Sequence, residues 1–356
     1  MLEKAELTLI IMLSKTKKVI TTHLIVLCSV ASRKLFYSIA WRVGTLSLQF
    51  VPPAEGGGME IIMSEKKYKR RLGDRGDGRL VRNLTPMHKI TPFIMVERND
   101  ASNFIRDSIE VSKIDEYIRR KRKSGLKGFG IMHIIVAAYI RCISQRPAVN
   151  RFVSGQRVYS RNRIEININV KKEMTLESPD TVVKIVFEPT DTADDVYYKM
   201  KTVIDESKGG ELDSDFDNTA RIINYIPRLI KKFAIWFLKT IDYFGLLPKF
   251  LLNVSPFHGS MFITSMGSLG IPPIYHHLYN FGNVPVFISF GAKKSVNEID
   301  DNGQVVKRKY VDYTVVTDER ICDGYYFAST LKILRGCLRH PERLDTPPEE
   351  VIEDIF

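Results

Sequence analysis

TVVTDERICDGYYFA, residues 314–328, is the stretch on which the reading of the chain turns. It begins as a strand, with β-branched Thr314, Val315, Val316 and Thr317. It becomes charged at Asp318, Glu319 and Arg320, turns at Asp323-Gly324, and continues as an aromatic run compatible with a helix. Charged side chains at the end of an apolar strand are costly unless exposed or paired, so these three need a structural or a chemical reason.

Upstream, VPVFISFGAKKSVNEIDDNGQVVKRKYVDYTVVTDE (284–319) reads as one long β-hairpin. Its turn is placed at Asp301-Asn302-Gly303, where Asn-Gly supplies positive φ angles. Downstream, residues 325–344 read as a helix with Phe327, Leu331, Leu334 and Leu338 inward. GSMFITSMGSLGI (259–271) is a strand entering a Gly-rich loop, and IYHHLYNFGN (274–283) is an aromatic loop with the adjacent pair His276 and His277. RIEININVKKE (163–173) alternates Ile164, Ile166, Ile168 and Val170 with polar residues, the pattern of a half-buried strand. ESPD turns it into a second strand at 181–189. Helices are expected at 112–125, capped by Ser112 and ended by Gly125, at 129–147, stopped by Pro147, and at 194–210. His133, inside the second of these, reads as a packed histidine rather than a ligand. ITPFIMVE is read as a strand broken by Pro92. Hairpins alternating with helices, without a regular βαβ series, argue α+β rather than a doubly wound sheet.

Residues 211–257 stand apart: very apolar and aromatic, with Arg228, Lys231, Lys232, Lys239 and Lys249 as basic punctuation and Pro227 and Pro248 as breaks. A buried helical pair or oligomer contact is favoured, because the apolar residues go nearly all round. An interfacial membrane helix over 226–251 is the less favoured reading.

The chain has 356 residues, is 44% hydrophobic and carries a formal charge of +12. Residues 63–82 alone hold net +5 on a Gly-rich segment, so 63–86 is expected to be a basic flexible tail and no nucleic acid is expected as partner. Four scattered cysteines without a CxxC pair fit reduced thiols in the cytoplasm and argue against a metal site. There is no phosphate loop, no HExxH and no GxSxG. HLIVLCSVA (23–31) is too short to span a bilayer. EGGGMEIIM (55–63) looks like a translated ribosome-binding site ahead of Met59 or Met63. Residues 1–62 are accordingly expected to be a non-native or disordered extension, and 346–356 an acidic tail.

Taken in order, QRPAVNRFV (145–153), MFITSMGSLG (261–270), FISFGAKK (287–294), DERICDG (318–324) and HPERL (340–344) resemble segments of the catalytic domain of 2-oxo acid dehydrogenase acyltransferases. That domain shares the fold of chloramphenicol acetyltransferase. The resemblance covers residues 87–345, with 211–257 as an apolar helical insertion. It implies an α+β two-layer sandwich, a mixed sheet with helices on one face. It implies a homotrimer with the active site between subunits, where coenzyme A meets an acyl acceptor. It places the oxyanion-stabilising hydroxyl at Thr264, with Ser265 and Gly267 in the strand and loop that meet the thioester's carrier. It places a mostly structural aspartate at Asp323. At the position of the family's histidine base stands Glu319.

Glutamate has an ordinary pKa of about 4.3 against about 6.5 for histidine, a loss of roughly 3 kcal/mol of driving force for proton transfer. Burial could recover much of it, so Glu319 reads either as a retuned base or as a loop residue paired with Arg320. A base relocated to His276 or His277 is a further possibility, weighed against packing in an aromatic loop. Cys322 reads as a small core residue before an acyl-accepting thiol. Residues 1–86 have no room for lipoyl and subunit-binding domains, and no lipoyl group is expected on this chain. The expectation is a stand-alone acyltransferase working on a small-molecule thioester, with a catalytically degenerate trimeric binding protein as the alternative.

Overall fold

The computed structural model describes residues 69–171, 180–209 and 227–354, with the backbone of three strands before them. The expectations for residues 1–41 and 211–226 and the turn at 177–179 lie outside the described residues. The chain divides into two units, Met1–Lys69 and Arg70–Phe356. The first contains strands β1 (Arg42–Val43), β2 (Leu46–Phe50) and β3 (Ile61–Glu65), paired antiparallel in that order.

The second unit is a two-layer α+β sandwich. Its main sheet has six strands: β5 (Ser102–Glu110), β8 (Ile164–Lys171), β9 (Asp180–Phe187), β10 (Met261–Ser265), β11 (Val286–Ile299) and β12 (Val305–Asp318). They lie side by side as β5-β12-β11-β10-β8-β9. β10 runs parallel to both its neighbours, and the remaining pairs are antiparallel. A smaller sheet joins β4 (Gly78–Leu80), β7 (Arg157–Arg161) and β6 (Arg151–Ser154).

One face of the large sheet carries Ile166, Ile168, Ile263, Ile288 and Val315. Against it pack α2 (Ser112–Lys123), α3 (Ile131–Gln145), α4 (Ala193–Gly209) and α7 (Gly324–Arg339), through Ile114, Ile134, Ile140, Met200 and Leu338. Burying so much branched apolar surface, at about 25 cal/mol per Å², is what holds the layers together. The other face carries Phe262 and Thr264, Phe287 and Ser289, Val316 and Thr314, and is covered by the loop 271–283. The alternation that predicts β8 therefore also assigns its two faces.

Several local expectations are corrected. The segment around Pro92 is helix α1 (Pro86–Ile94), not a strand; Thr85 caps it and accepts from the His88 amide. Ser112 does not cap α2: Val111 is the N-cap residue, and the Ser112 amide donates to Glu110 instead. The hairpin turns through five residues, Asp300–Gln304, closed by the Asp300 amide on the Gln304 carbonyl, and only Gly303 takes a positive φ. Residues 70–86 are not a free basic tail. β4 pairs with β7, and Arg75 is buried. The acidic end also docks: Ile352 donates to the Ser144 carbonyl, and Arg151 pairs with Asp354 at 2.5 Å.

Nor are the apolar helices after Pro227 a buried pair. On α5 (Arg228–Tyr243) only Asp242 is buried, while Leu229, Phe233 and Trp236 are 81%, 61% and 57% exposed. A short helix, α6 (Lys249–Val254), follows. No described helix is long and apolar enough to cross a membrane.

Candidate functional site

β10 delivers Thr264 to the sheet face that the helices leave uncovered. In register it lies beside Ser289, which lies beside Thr314, so three hydroxyls form a row across β10, β11 and β12. The loop above secures two of them. Thr314 donates to the Ile274 carbonyl at 2.7 Å, and the Ile274 amide donates to the Ser289 hydroxyl. Among the described residues the Thr264 hydroxyl makes no hydrogen bond, although the residue is buried. Ser265 ends the strand, and its carbonyl accepts from the Ser268 hydroxyl. Gly267 is there for close approach: a Cβ would sit 2.7 Å from the Gly291 carbonyl oxygen.

His276 lies on the same face. Its ring stacks on Phe287 at 4.2 Å and 12°, and Phe287 is the diagonal neighbour of Thr264 across β10 and β11. The His276 Nε2 is buried and has no hydrogen-bond partner. Burial, and then the neighbouring His277, push its pKa below the usual histidine value, so the ring is neutral at pH 7. His277 is exposed and packs edge-on to Tyr279 at 5.2 Å. The two histidines that sequence alone leaves equivalent are thus distinct: one faces the sheet, the other faces away.

Glu319 sits elsewhere. β12 ends at Asp318, and Glu319 opens a 3-10 turn whose amide donates to the Ala101 carbonyl. The Glu319 side chain is exposed, with no hydrogen bond or ion pair to any described residue. It does not pair with Arg320, because that guanidinium is committed to Asp318 in a bidentate contact, both bonds at 2.8 Å. Arg320 also donates to the Met95 and Val96 carbonyls. Arg98 closes on the far side of Asp318 at 3.3 Å and ties down the Tyr279, Gly282 and Val153 carbonyls. All three charged groups are buried. A buried carboxylate is tolerable here because Arg320 binds it bidentately and Arg98 faces it as an ion pair, its Nε making no hydrogen bond.

Thr264 and Glu319 do not meet within one chain. Thr264 is in register, through Ser289, with Thr314. Glu319 lies five residues further along and two strands over, roughly 17 Å by about 10 Å at ordinary strand geometry. Asp323 caps α7 by accepting from the Tyr326 amide at 2.8 Å. Burial pushes the Cys322 thiol up to about 12, which disfavours the thiolate. His133 is a packed residue, stacked on Phe129 and pushed down to about 4 by burial. No group of three metal-binding side chains occurs among the described residues.

The buried polar groups that sequence reading missed belong to a second cluster. Arg75 pairs with Asp77 at 2.9 Å and with Asp242 at 2.6 Å. His258 lies 3.5 Å from Asp242 and contacts the Ser255 hydroxyl at 2.8 Å. Burial works against the Asp242 carboxylate, but His258 and Arg75 together hold its pKa down at about 2. Beside it a cavity of about 120 Å³ is bounded by Asp77, Arg161, Glu165, Lys249 and His258. That is room for a few waters, not for a nucleotide-sized ligand. No local motif announces this cluster, because its members are scattered from residue 75 to residue 258.

No family model matches the chain, and no curated protein sequence matches it. Solved structures are similar. A probable dihydrolipoamide acetyltransferase from Listeria monocytogenes shares 12% identity over 79% of this chain and 99% of its own, with a TM-score of 0.48. The dihydrolipoamide acetyltransferase of Azotobacter vinelandii shares 11% over 74% and 93%, with a TM-score of 0.46. A chloramphenicol acetyltransferase shares 12% over 73% and 99%, with a TM-score of 0.44.

Proposed function

We propose that the chain transfers an acyl group from a coenzyme A thioester to a small acceptor, with Thr264 and His276 as the chemical pair. One observation carries this reading. A hydroxyl and an imidazole nitrogen, Thr264 Oγ1 and His276 Nε2, are both left without partners on one sheet face. In such a reaction the acceptor's thiol, hydroxyl or amine gives its proton to His276 Nε2 and attacks the thioester carbon. The carbonyl oxygen takes the negative charge and accepts a hydrogen bond from Thr264. Collapse expels the coenzyme A sulfur, which takes the proton from the imidazolium. The lowered pKa of His276 keeps the ring in its proton-accepting form at pH 7.

A second reading gives the base to Glu319, and a specific feature favours it. The carboxylate is exposed and unpaired, yet the Asp318–Arg320–Arg98 clamp fixes the backbone beneath it. Because Glu319 lies far from Thr264 in its own chain, it could serve only a Thr264 contributed by another copy. That arrangement is a homotrimer with shared sites. Loss of both activities would leave the trimeric binding protein.

Coenzyme A and short acyl-CoA esters are expected to raise the melting temperature, and thiol release is expected with a suitable acceptor. His276→Gln is expected to lower kcat at least about 100-fold with little change in KM, as loss of a general base does. Thr264→Val is expected to do the same. If Glu319→Gln abolishes activity and His276→Gln does not, the base is Glu319. If no acyl-CoA ester binds, the acyl-transfer reading fails.

A further inference from the structure

We infer that the face of α5 turned away from the body is a docking surface for an anionic lipid membrane, with the helix lying flat in the interface. This stands apart from the acyl-transfer reading and does not depend on it.

The helix has two unlike sides. Ala234, Leu238, Ile241 and Asp242, at helical spacing, are half-buried or buried against the body. Leu229, Ile230, Phe233, Trp236 and Phe237, on the opposite side, are exposed. Phe244, Leu246 and Phe250 follow directly and are exposed as well. An exposed run of large aromatic and aliphatic side chains on a folded domain marks a contact surface. The C-terminal end of α5 is fastened by buried bonds: Arg75 donates to the Asp242 carbonyl and to its carboxylate, and Ser154 donates to the same carbonyl.

Charge selects the occupant. Arg228, Lys232, Lys239 and Lys249 are exposed along the same segment. The one acidic residue from 227 to 254 is Asp242, which is buried and already paired. The accessible charge is therefore all positive. Two copies packed face to face would set these cations against one another. Anionic phospholipid headgroups complement them, while Trp236 and the phenylalanines enter the acyl boundary, the arrangement that interfacial helices adopt. The helix is a convex row rather than a groove, which suits a fluid bilayer better than a peptide.

The test uses the full chain with vesicles of phosphatidylcholine alone or mixed with phosphatidylglycerol. The chain has two tryptophans, so Trp41→Phe leaves Trp236 as the sole tryptophan, excited selectively over the tyrosines. Flotation with phosphatidylglycerol vesicles and a blue shift of Trp236 emission are expected, both weakening as salt shortens the Debye length from about 10 Å at 0.1 M to about 3 Å at 1 M. Lys232→Glu with Lys239→Glu is expected to weaken binding at least about tenfold. Phe233→Ser with Trp236→Ser is expected to abolish flotation while circular dichroism and melting temperature stay unchanged, since both side chains are exposed. Three results would each overturn the inference. One is no flotation with anionic vesicles at low salt, and another is equal flotation with neutral ones. The third is self-association that Phe233→Ser removes in the absence of any vesicle binding.

Discussion

Asp318 gives both carboxylate oxygens to Arg320 and one to Arg98, in a site closed to water. Removing one member strands the others, so Asp318→Asn is expected to cost about 3–5 kcal/mol in urea unfolding. Glu319→Gln, on the exposed residue between them, is expected to change stability by no more than about 0.5 kcal/mol. Asp242 carries a pH dependence. Its folded pKa of about 2 lies below the usual carboxylate value, so the stability it adds is fully present above about pH 4. That contribution is lost as pH falls through about 2. Asp242→Asn should flatten the acid limb of the melting curve over that window. The His276 pKa is lowered as well, so activity relying on it should persist below pH 6.5 before falling. At this scale the sequence was only half legible. DERICDG announced a special turn, whereas the capping of α7 by Asp323 is seen only in the structure. The burial of Asp318 and Arg320 was not readable, because Arg98, the Val153 carbonyl and the 279–282 loop come from distant stretches of chain.

The strands and core helices followed their periodicity, since β8 buries Ile164, Ile166, Ile168 and Val170 along one side. Helix α1 went the other way. Pro92 suggested a broken strand, yet proline sits within this short helix, which Thr85 caps at its start. Gly267 shows what an element junction demands. A Cβ there would press on the Gly291 carbonyl, so Gly267→Ala is expected to cost about 1–3 kcal/mol, measured by urea unfolding, even if no ligand ever touches the residue. In sequence the apolar residues of α5 go nearly all round the helix. Only three-dimensional packing separates the side that carries Leu238 and Asp242 from the side that carries Phe233 and Trp236.

For the whole molecule, the layered fold places Thr264 and His276 on one sheet face and Glu319 just past the end of β12, two strands away from β10. The proposed trimer would sediment at three times the 40.8 kDa chain. Co-expression of two inactive variants would tell which residues share a site. If Glu319 serves Thr264 of another copy, chains with Thr264→Val and chains with Glu319→Gln should together recover a fraction of the activity. Thr264→Val mixed with His276→Gln should recover it only if those two residues also act across copies. No single-chain reading of the sequence could make that distinction, because it depends on strand register rather than on which residues are present.

Strand β12 has two unequal halves. From Tyr310 to Asp318 it is bonded on both edges, to β11 and to β5; from Val305 to Lys309 only β11 pairs with it along the ladder. The outer half is a two-stranded arm that carries exposed Ile299 and Val305 near its tip. Isolated ribbons of this kind are marginally stable, whereas a central strand opens only with the whole fold. Amide hydrogen exchange along this single strand should therefore step from fast to slow near Tyr310. That would make the arm a natural place to splice in a reporter peptide, at Asn302-Gly303, without disturbing the layer beneath.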